Sequence, residues 1–337
     1  MSGHSLAIVG ATGAVGLKLL QVIDERVKEV KNLRLFASSR SAGQKLTFRG
    51  KEITVEDVAK SDFKGVDVAF FSAGTEASLQ YCPKAVKDGA IVIDNTNAHR
   101  MNKDVPLIVP EANFHALKKE HRLIANPNCS TIQMIVAIAP IHRVNPIKRI
   151  VVSTYQSVSG TGLEAIDILK KQSKAILEGS EIPSGVYPHT IGFNLIPQID
   201  VFLPESGLYR EEEKMVRETQ KILESDVKVC PTTVRVPVMY AHSESVNLEL
   251  TNKMTLDEVR AILSKAEDVV LLDDPVNSVY PTPIECQNKD EVFVGRLRND
   301  PTVDVGFNMW VVADNLRRGA ATNAVKIYTE MVKHSML

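Results

Sequence analysis

Leu6-Ala7-Ile8-Val9-Gly10-Ala11-Thr12-Gly13-Ala14-Val15-Gly16 is the stretch whose reading decides the fold. A short apolar run ends in a glycine turn, after which Val15, Leu19, Leu20, Ile23 and Val27 recur at helical spacing. The order is therefore strand, turn, helix. Glycines in such a turn let the backbone approach a pyrophosphate, and the helix N-terminus supplies N–H donors to it. Gly10, Thr12, Gly13, Ala14 and Val15 are accordingly the first candidate cofactor contacts. The spacing is GxxGxxG rather than GxGxxG, so a merely structural turn stays open on this motif alone; its place after the first strand of the chain favours the nucleotide.

Further apolar runs follow at Arg34 to Ala37, Val66 to Ser72, Ala90 to Ile93 and Arg122 to Ala125, with a helical pattern at Glu76 to Lys87. This alternation predicts a doubly wound parallel sheet with helices on both faces. Ligands of such sheets sit at the carboxyl ends of the strands. Beyond the glycine turn those ends are Ser38-Ser39-Arg40-Ser41, Ser72-Ala73-Gly74 and Asp94-Asn95-Thr96, which adds Ser38, Arg40, Ser41, Ser72, Gly74 and Asn95 to the cofactor candidates. An NAD enzyme usually places a carboxylate after the second strand to hold the ribose 2′-hydroxyl. Here two serines and Arg40 stand in that region, which suits a 2′-phosphate and favours NADP. Arg40 as an ordinary surface arginine is the alternative.

A second focus is Ala125-Asn126-Pro127-Asn128-Cys129-Ser130-Thr131. A strand-like run breaks at Pro127, and apolar Ile132, Ile135, Val136, Ile138 and Ala139 then recur at helical spacing. Cys129 is thus expected at a helix N-terminus, where unpaired N–H groups and the positive end of the helix dipole favour thiolate over thiol. Taken alone, a cysteine there is as readily a small buried hydrophobe.

Candidate partners lie further on. Lys148 to Thr154 reads as a strand running into Gln156 and the turn Ser157-Val158-Ser159-Gly160, and Leu163 to Leu177 as a helix. Glu211 and Lys214, three apart on a helix, share a face, as a solvated ion pair also would. Thr232 to Val238 reads as a strand with Arg235 inside it, and an arginine there is costly unless it meets an anion. His242 falls at a strand break before Val246 to Leu250, where a satisfied core histidine is the plainer reading. Thr255 to Glu258 forms a capping box opening a structural helix. Phe307 to Ala313 is a last strand, and Asp314 to Ala324 opens the final helix.

The 337 residues suggest two domains at about 150 residues each. A net charge of −1 gives no electrostatic reason to expect nucleic acid or an anionic membrane as partner. No apolar run approaches the roughly 20 residues needed to span a bilayer, and no signal-peptide pattern opens the chain, so a cytoplasmic location is expected. The four cysteines form no CxxC pair. They read as free thiols in a reducing compartment, and no metal-ligand set is read from the sequence.

Taken together, Gly10-Ala-Thr-Gly-Ala-Val-Gly16, Asn126-Pro-Asn-Cys-Ser-Thr131, Ser153-Thr-Tyr-Gln-Ser-Val-Ser-Gly160, Tyr187-Pro-His189, Val234-Arg-Val-Pro-Val238, His242-Ser-Glu-Ser245 and Ala313-Asp-Asn-Leu-Arg-Arg-Gly319 resemble the aspartate-semialdehyde dehydrogenase family. The motifs run colinearly over the whole chain. The resemblance implies an α/β fold of the glyceraldehyde-3-phosphate dehydrogenase type: a Rossmann-like domain, 1–130 plus 315–337, and a second catalytic and dimerisation domain, 131–314. It further implies a homodimer. Cys129 matches the family's nucleophile, His242 its acid/base and Gln156 a substrate-orienting glutamine. Arg235 matches the arginine that grips the substrate α-carboxylate, and Glu211 the acid facing its ammonium. Arg100 and Lys214 match the cations of the phosphate site, and Asn128 lies in the nucleophile motif among the substrate contacts. Ser159, Gly160 and Asn315 join the cofactor contacts. His99 stands where an aromatic is usual in the family, and Gln198 where a histidine is common.

The implied reaction is NADPH-dependent reductive dephosphorylation of L-4-aspartyl phosphate to L-aspartate 4-semialdehyde and phosphate through a cysteine thioester. It belongs to the biosynthesis of lysine (through diaminopimelate), threonine, methionine and isoleucine. N-acetylglutamyl-phosphate reductase is the nearest alternative, and Glu211 as partner of a free ammonium argues against it. A catalytically silent NADP-binding protein of the same fold is the other. A cysteine hydrolase leaves the glycine turn unexplained.

Overall fold

Strand β1 (His4–Val9) carries the apolar run that opens the chain, and Leu6 to Val9 are fully buried. In this computed structural model, which describes residues 3–337, two units form, residues 3–128 with 320–337 and residues 129–319. In chain order the first holds β1, α1 (Ala14–Arg26), β2 (Val30–Ala37), β3 (Lys45–Phe48), β4 (Lys51–Asp57), β5 (Val68–Phe71), α2 (Thr75–Lys87), β6 (Ile91–Asp94), α3 (Pro110–Asn113) and β7 (Leu123–Ala125). Its seven-stranded sheet has the order β3-β4-β2-β1-β5-β6-β7. Every pair is parallel except the hairpin β3/β4.

Side chains alternate across a strand, so β1 feeds two cores. Leu6 and Ile8 pack with Leu19, Ile23, Val325 and Tyr328 on one face, and Ala7 and Val9 with Phe36, Phe63, Phe71 and Ala85 on the other. Burial on both faces is why the strand reads as a continuous apolar run. The hairpin escapes the sequence reading because its strands are charged. Its turn is nonetheless encoded: Arg49 and Gly50 have φ of +49° and +75°, as a two-residue type I′ turn requires.

The second unit comprises α4 (Cys129–Val144), β8 (Ile147–Gln156), α5 (Leu163–Glu178), β9 (Phe202–Leu203), β10 (Leu208–Tyr209), α6 (Arg210–Leu223), β11 (Lys228–Arg235), β12 (His242–Leu250), α7 (Leu256–Leu263), β13 (Val269–Leu271), α8 (Pro283–Cys286), β14 (Val292–Asn299) and β15 (Gly306–Ala313). A mixed six-stranded sheet runs β11-β8-β12-β15-β14-β13, and β9 pairs only with β10. Helix α4 is buried almost all round, from Ser130 to Ala139 and at Ile141, as an apolar core helix must be. On β8, Ile150, Val152, Thr154 and Gln156 are buried, while Arg149, Val151, Ser153 and Tyr155 on the opposite face remain partly exposed.

Three element boundaries and one domain boundary differ from the sequence reading. The strand expected over Thr232 to Val238 ends at Arg235, because Pro237 has no N–H for the ladder and Val238 N–H folds back to Val236 C=O (2.8 Å). The following strand starts at His242 rather than Val246, after Ala241 in a left-handed conformation (φ +67°). The final helix is entered through a π-helical turn, Arg317–Thr322, before α9 (Asn323–Lys333). Residues 315–319 lie in the second unit, held there by Asn315, whose Oδ1 accepts from Ser157 Oγ, Ser159 Oγ and Ala241 N–H.

Candidate active site

Strand pairing in the second unit sets chemistry-bearing residues in one row. Parallel pairing aligns Arg235, the last residue of β11, with Gln156, the last of β8. Antiparallel pairing aligns Ser243 with Tyr155 and His242 with Ala313. The ends of β11, β8 and β15 and the start of β12 therefore share one sheet edge, and the turn from Ser157 to Gly160 leaves from it. Backbone that stops pairing there frees its side chains for a ligand.

His242 is fully buried. Its Nδ1 accepts from Ser157 N–H at 3.0 Å, with Ser157 Oγ also at 3.0 Å. A backbone N–H can only donate, so the neutral imidazole carries its proton on Nε2. Burial lowers the His242 pKa to about 3; the Arg235 charge adds to the effect and Glu211 opposes it. The resting ring is thus a neutral Nε2–H donor, 3.5 Å from Gln156 Nε2. Gln156 is held at both ends: its Oε1 accepts from Thr154 Oγ1 (3.0 Å) and its Nε2 donates to Glu211 Oε1 (3.1 Å).

Arg235 is 5% exposed. One Nη1–H donates to Ser157 C=O (2.7 Å), the guanidinium lies 5.9 Å from the Tyr187 ring, and Nε is buried without a hydrogen-bond partner among the described residues. A guanidinium kept from water without a countercharge is expensive, and an anionic ligand relieves that cost. Glu211, buried on α6, offers the opposite sign; its Oε2 accepts from Lys214 Nζ (3.1 Å), which also donates to Asp200 Oδ2 (2.8 Å). A Cβ at Gly160 would come within 3.2 Å of Arg235 Nη1 and 3.4 Å of His242 Nε2. Gly160 therefore keeps open the space in front of both.

Cys129 is the first residue of α4 and is partly exposed. Gln133, one turn along, donates to the His242 carbonyl (3.4 Å), which ties the helix of Cys129 to the strand of His242. Gly319 abuts the cysteine, since a Cβ there would lie 2.7 Å from Cys129 Cβ. The segment bearing Gly319 is anchored by Asp314, whose Oδ1 accepts from Leu316 and Arg317 N–H, and by the bidentate Arg317–Asp290 pair at 2.8 Å. Ser157, Gln133, Asp314 and Gly319 were not singled out in the sequence. They act through other residues, and only the Arg-Arg-Gly run hinted at a close approach. Asn315 leaves its Nδ2 buried without a partner among the described residues, a donor suited to an amide or carbonyl ligand.

In the first unit the glycine turn is built for close approach. Gly10 has φ +88° and its Cβ would strike Ser72 C=O at 2.5 Å, while a Cβ at Gly16 would strike Gly10 C=O at 2.1 Å. Gly13 caps α1, and Thr12 to Val15 stay accessible beside it. Ser38, Arg40 and Ser41 follow β2, Ser72 and Gly74 follow β5, and Asn95 follows β6; β2 and β5 flank β1 in the sheet and β6 lies beside β5. The expected cofactor residues of this unit thus meet at one sheet edge. Arg100 is 7% exposed, donating to Asn126 C=O (2.9 Å) and Asn95 C=O (2.8 Å). Asn128, next to Cys129 in sequence, is buried.

A semialdehyde dehydrogenase NAD-binding domain matches residues 5–120, and a semialdehyde dehydrogenase dimerisation domain matches residues 138–318. An aspartate-semialdehyde dehydrogenase of Aquifex aeolicus is 52% identical over 99% of this chain and all of its own. Among solved structures, aspartate semialdehyde dehydrogenase II of Vibrio cholerae complexed with ASA superimposes with a TM-score of 0.96 at 44% identity, covering 99% of each chain. The Candida albicans enzyme with NADP gives 0.80 at 25% identity over the whole of both chains. A colinear set of motifs, a nucleotide-type glycine turn and full-length identity above half converge, and the chain belongs to the aspartate-semialdehyde dehydrogenase family.

Proposed function

We propose that this chain interconverts L-4-aspartyl phosphate and L-aspartate 4-semialdehyde with NADP(H) and phosphate, acting biosynthetically as the reductase. The observation that carries this reading is the row of Arg235, Gln156 and His242 with Glu211 behind it: a buried guanidinium and a carboxylate that complement the two charges of an amino acid. Holding the substrate by those remote charges fixes its reacting carbon. Cys129 attacks the acyl phosphate carbon; the S–C bond forms, phosphate leaves and a thioester remains. His242 Nε2–H donates to the oxygen that gains charge in each tetrahedral state, a role the neutral tautomer can fill without a proton change. Collapse of the reduced hemithioacetal returns Cys129 as thiolate.

The nicotinamide supplies the hydride. The residues fit it: the glycine turn, in which Gly10 and Gly16 allow backbone contacts that a Cβ would block, the open N-terminus of α1, and Asn315 Nδ2, buried without a partner among the described residues. Ser38, Arg40 and Ser41 after β2 favour the 2′-phosphate of NADP. Arg100 and Lys214 are the cations proposed for inorganic phosphate. The partly exposed face of the second sheet, with Tyr155, Trp310, Arg149 and Asn308, supports a homodimer through that face. No helix among the described residues is long and apolar enough to cross a membrane, in keeping with a cytoplasmic biosynthetic enzyme. The decisive assay is NADP⁺ reduction with aspartate semialdehyde, with and without phosphate, against the acetylglutamyl counterpart. Phosphate-dependent turnover of the first substrate alone is expected, and equal rates with both would reject the assignment.

A further inference from the structure

Asp94 closes β6, and two other metal-binding side chains meet it inside the first unit. Cys82 comes from α2, and His99 from the segment after Asn95. One ligand atom of each lies within 4.8 Å of the other two. Cys82 and Asp94 are fully buried and His99 is 7% exposed. His99 Nδ1 meets Asn102 Nδ2 at 3.3 Å, whereas Nε2 is buried with no hydrogen-bond partner among the described residues. A buried imidazole nitrogen left unpartnered is costly, and the ring that carries it belongs to a cluster with a thiol and a carboxylate. Spacings of 12 and 5 residues hide the set in the sequence, and only the fold assembles it.

We propose that Cys82, Asp94 and His99, all residues of the first unit, bind one zinc ion. Thiolate, imidazole and carboxylate together suit a borderline-soft divalent cation rather than magnesium or calcium. Their charges of −1, 0 and −1 cancel that of the ion, so the complex is neutral in an interior that penalises net charge. Bond lengths of about 2.0–2.3 Å set tetrahedral ligand atoms roughly 3.5 Å apart, so side-chain adjustments of about 1 Å close the cluster, with water in the fourth position. Binding forms a Zn–S bond as the S–H bond breaks, and the proton leaves to solvent with no change of oxidation state. Burial, reinforced by the Asp94 charge and opposed by Ser78, raises the Cys82 thiol pKa. Without the metal, Cys82 is thus an inert thiol rather than a second nucleophile. The ion would also brace residues 94–100: Asp94 already accepts from Ser78 Oγ, Thr96 N–H and Thr96 Oγ1.

The test uses the full chain as Cys129→Ser, which removes the reactive thiol as a competing ligand, and adds Cys82→Ser or His99→Phe to it. Protein produced with zinc is dialysed against buffered free zinc, and a parallel set carries cobalt(II). Expected is one more tightly bound equivalent in the parent than in either double variant. Affinity should fall roughly a hundredfold or more on losing a ligand, since even outer-shell contacts are worth about 10- to 100-fold. The cobalt form should show a thiolate-to-metal charge-transfer band that disappears with Cys82→Ser. Equal stoichiometry in all three proteins, or a band that survives Cys82→Ser, would overturn the site. Metal content and spectrum do not depend on turnover, so failure here is distinguishable from failure of the proposed reaction.

Discussion

Arg235 is a cation held out of water with its Nε unpaired among the described residues, and that makes it sensitive to a conservative change. Arg235→Lys keeps the charge but loses the planar fork that meets a carboxylate bidentately. Steady-state kinetics should show KM raised and kcat lowered, with kcat/KM down by roughly 10²-fold or more; unchanged constants would remove Arg235 from the substrate site. Cys129→Ser replaces a good nucleophile and leaving group by a poor one. Turnover should nearly vanish while NADPH binding, followed by fluorescence titration, stays intact. Both residues were legible as chemistry in the sequence. Ser157 was not, because its contribution to His242 is a backbone N–H, and every residue but proline carries one.

At the scale of elements, the site exists because three strands end and one begins at the same sheet edge. Strand β11 ends at Arg235 because Pro237 stops the ladder, so an arginine expected inside a strand stands instead at its carboxyl end. The π-helical turn brings Gly319 against the start of α4. Gly319→Ala should therefore displace Cys129, because the added methyl meets its Cβ at 2.7 Å and its Cα at 3.1 Å. A cysteine shifted by ~1 Å costs on the order of 10²-fold in kcat, with thermal unfolding showing the variant still folded; wild-type kcat would mean the two segments part freely. The end of β2 carries a separate test. Arg40→Asp should lower the ratio of kcat/KM for NADP⁺ over NAD⁺ by about tenfold or more, as a carboxylate repels the 2′-phosphate.

For the molecule as a whole, two buried titratable groups make stability depend on pH with opposite signs. His242 stays neutral in the fold, with a pKa of about 3, whereas an unfolded imidazole takes a proton below about 6.5. The stability it contributes is full above that value and falls as pH drops from there towards 3. Burial keeps the Glu244 carboxyl well above the carboxylate range, opposed by Gln133. Its contribution is full below the unfolded carboxyl's pKa of about 4.3 and is lost as pH rises through the folded value. Glu244→Gln should accordingly match wild type near pH 4 and gain in melting temperature as pH rises to 8. A constant offset across that range would show that Glu244 is already ionised in the fold.

The residues by themselves determined the strand–turn–helix opening, the parallel sheet of the first unit and the identity of the chemical groups, since hydrophobic period, glycine placement and motif order are properties of the linear chain. They left undetermined the charged hairpin β3/β4, whose polar strands carry no burial signal. They did not reveal which nitrogen of His242 bears the proton, that Arg235 Nε is buried without a hydrogen-bond partner among the described residues, or the meeting of Cys82, Asp94 and His99. Those depend on pairing register, burial and backbone hydrogen bonds between residues far apart in sequence, and such distances come into being only when the chain folds.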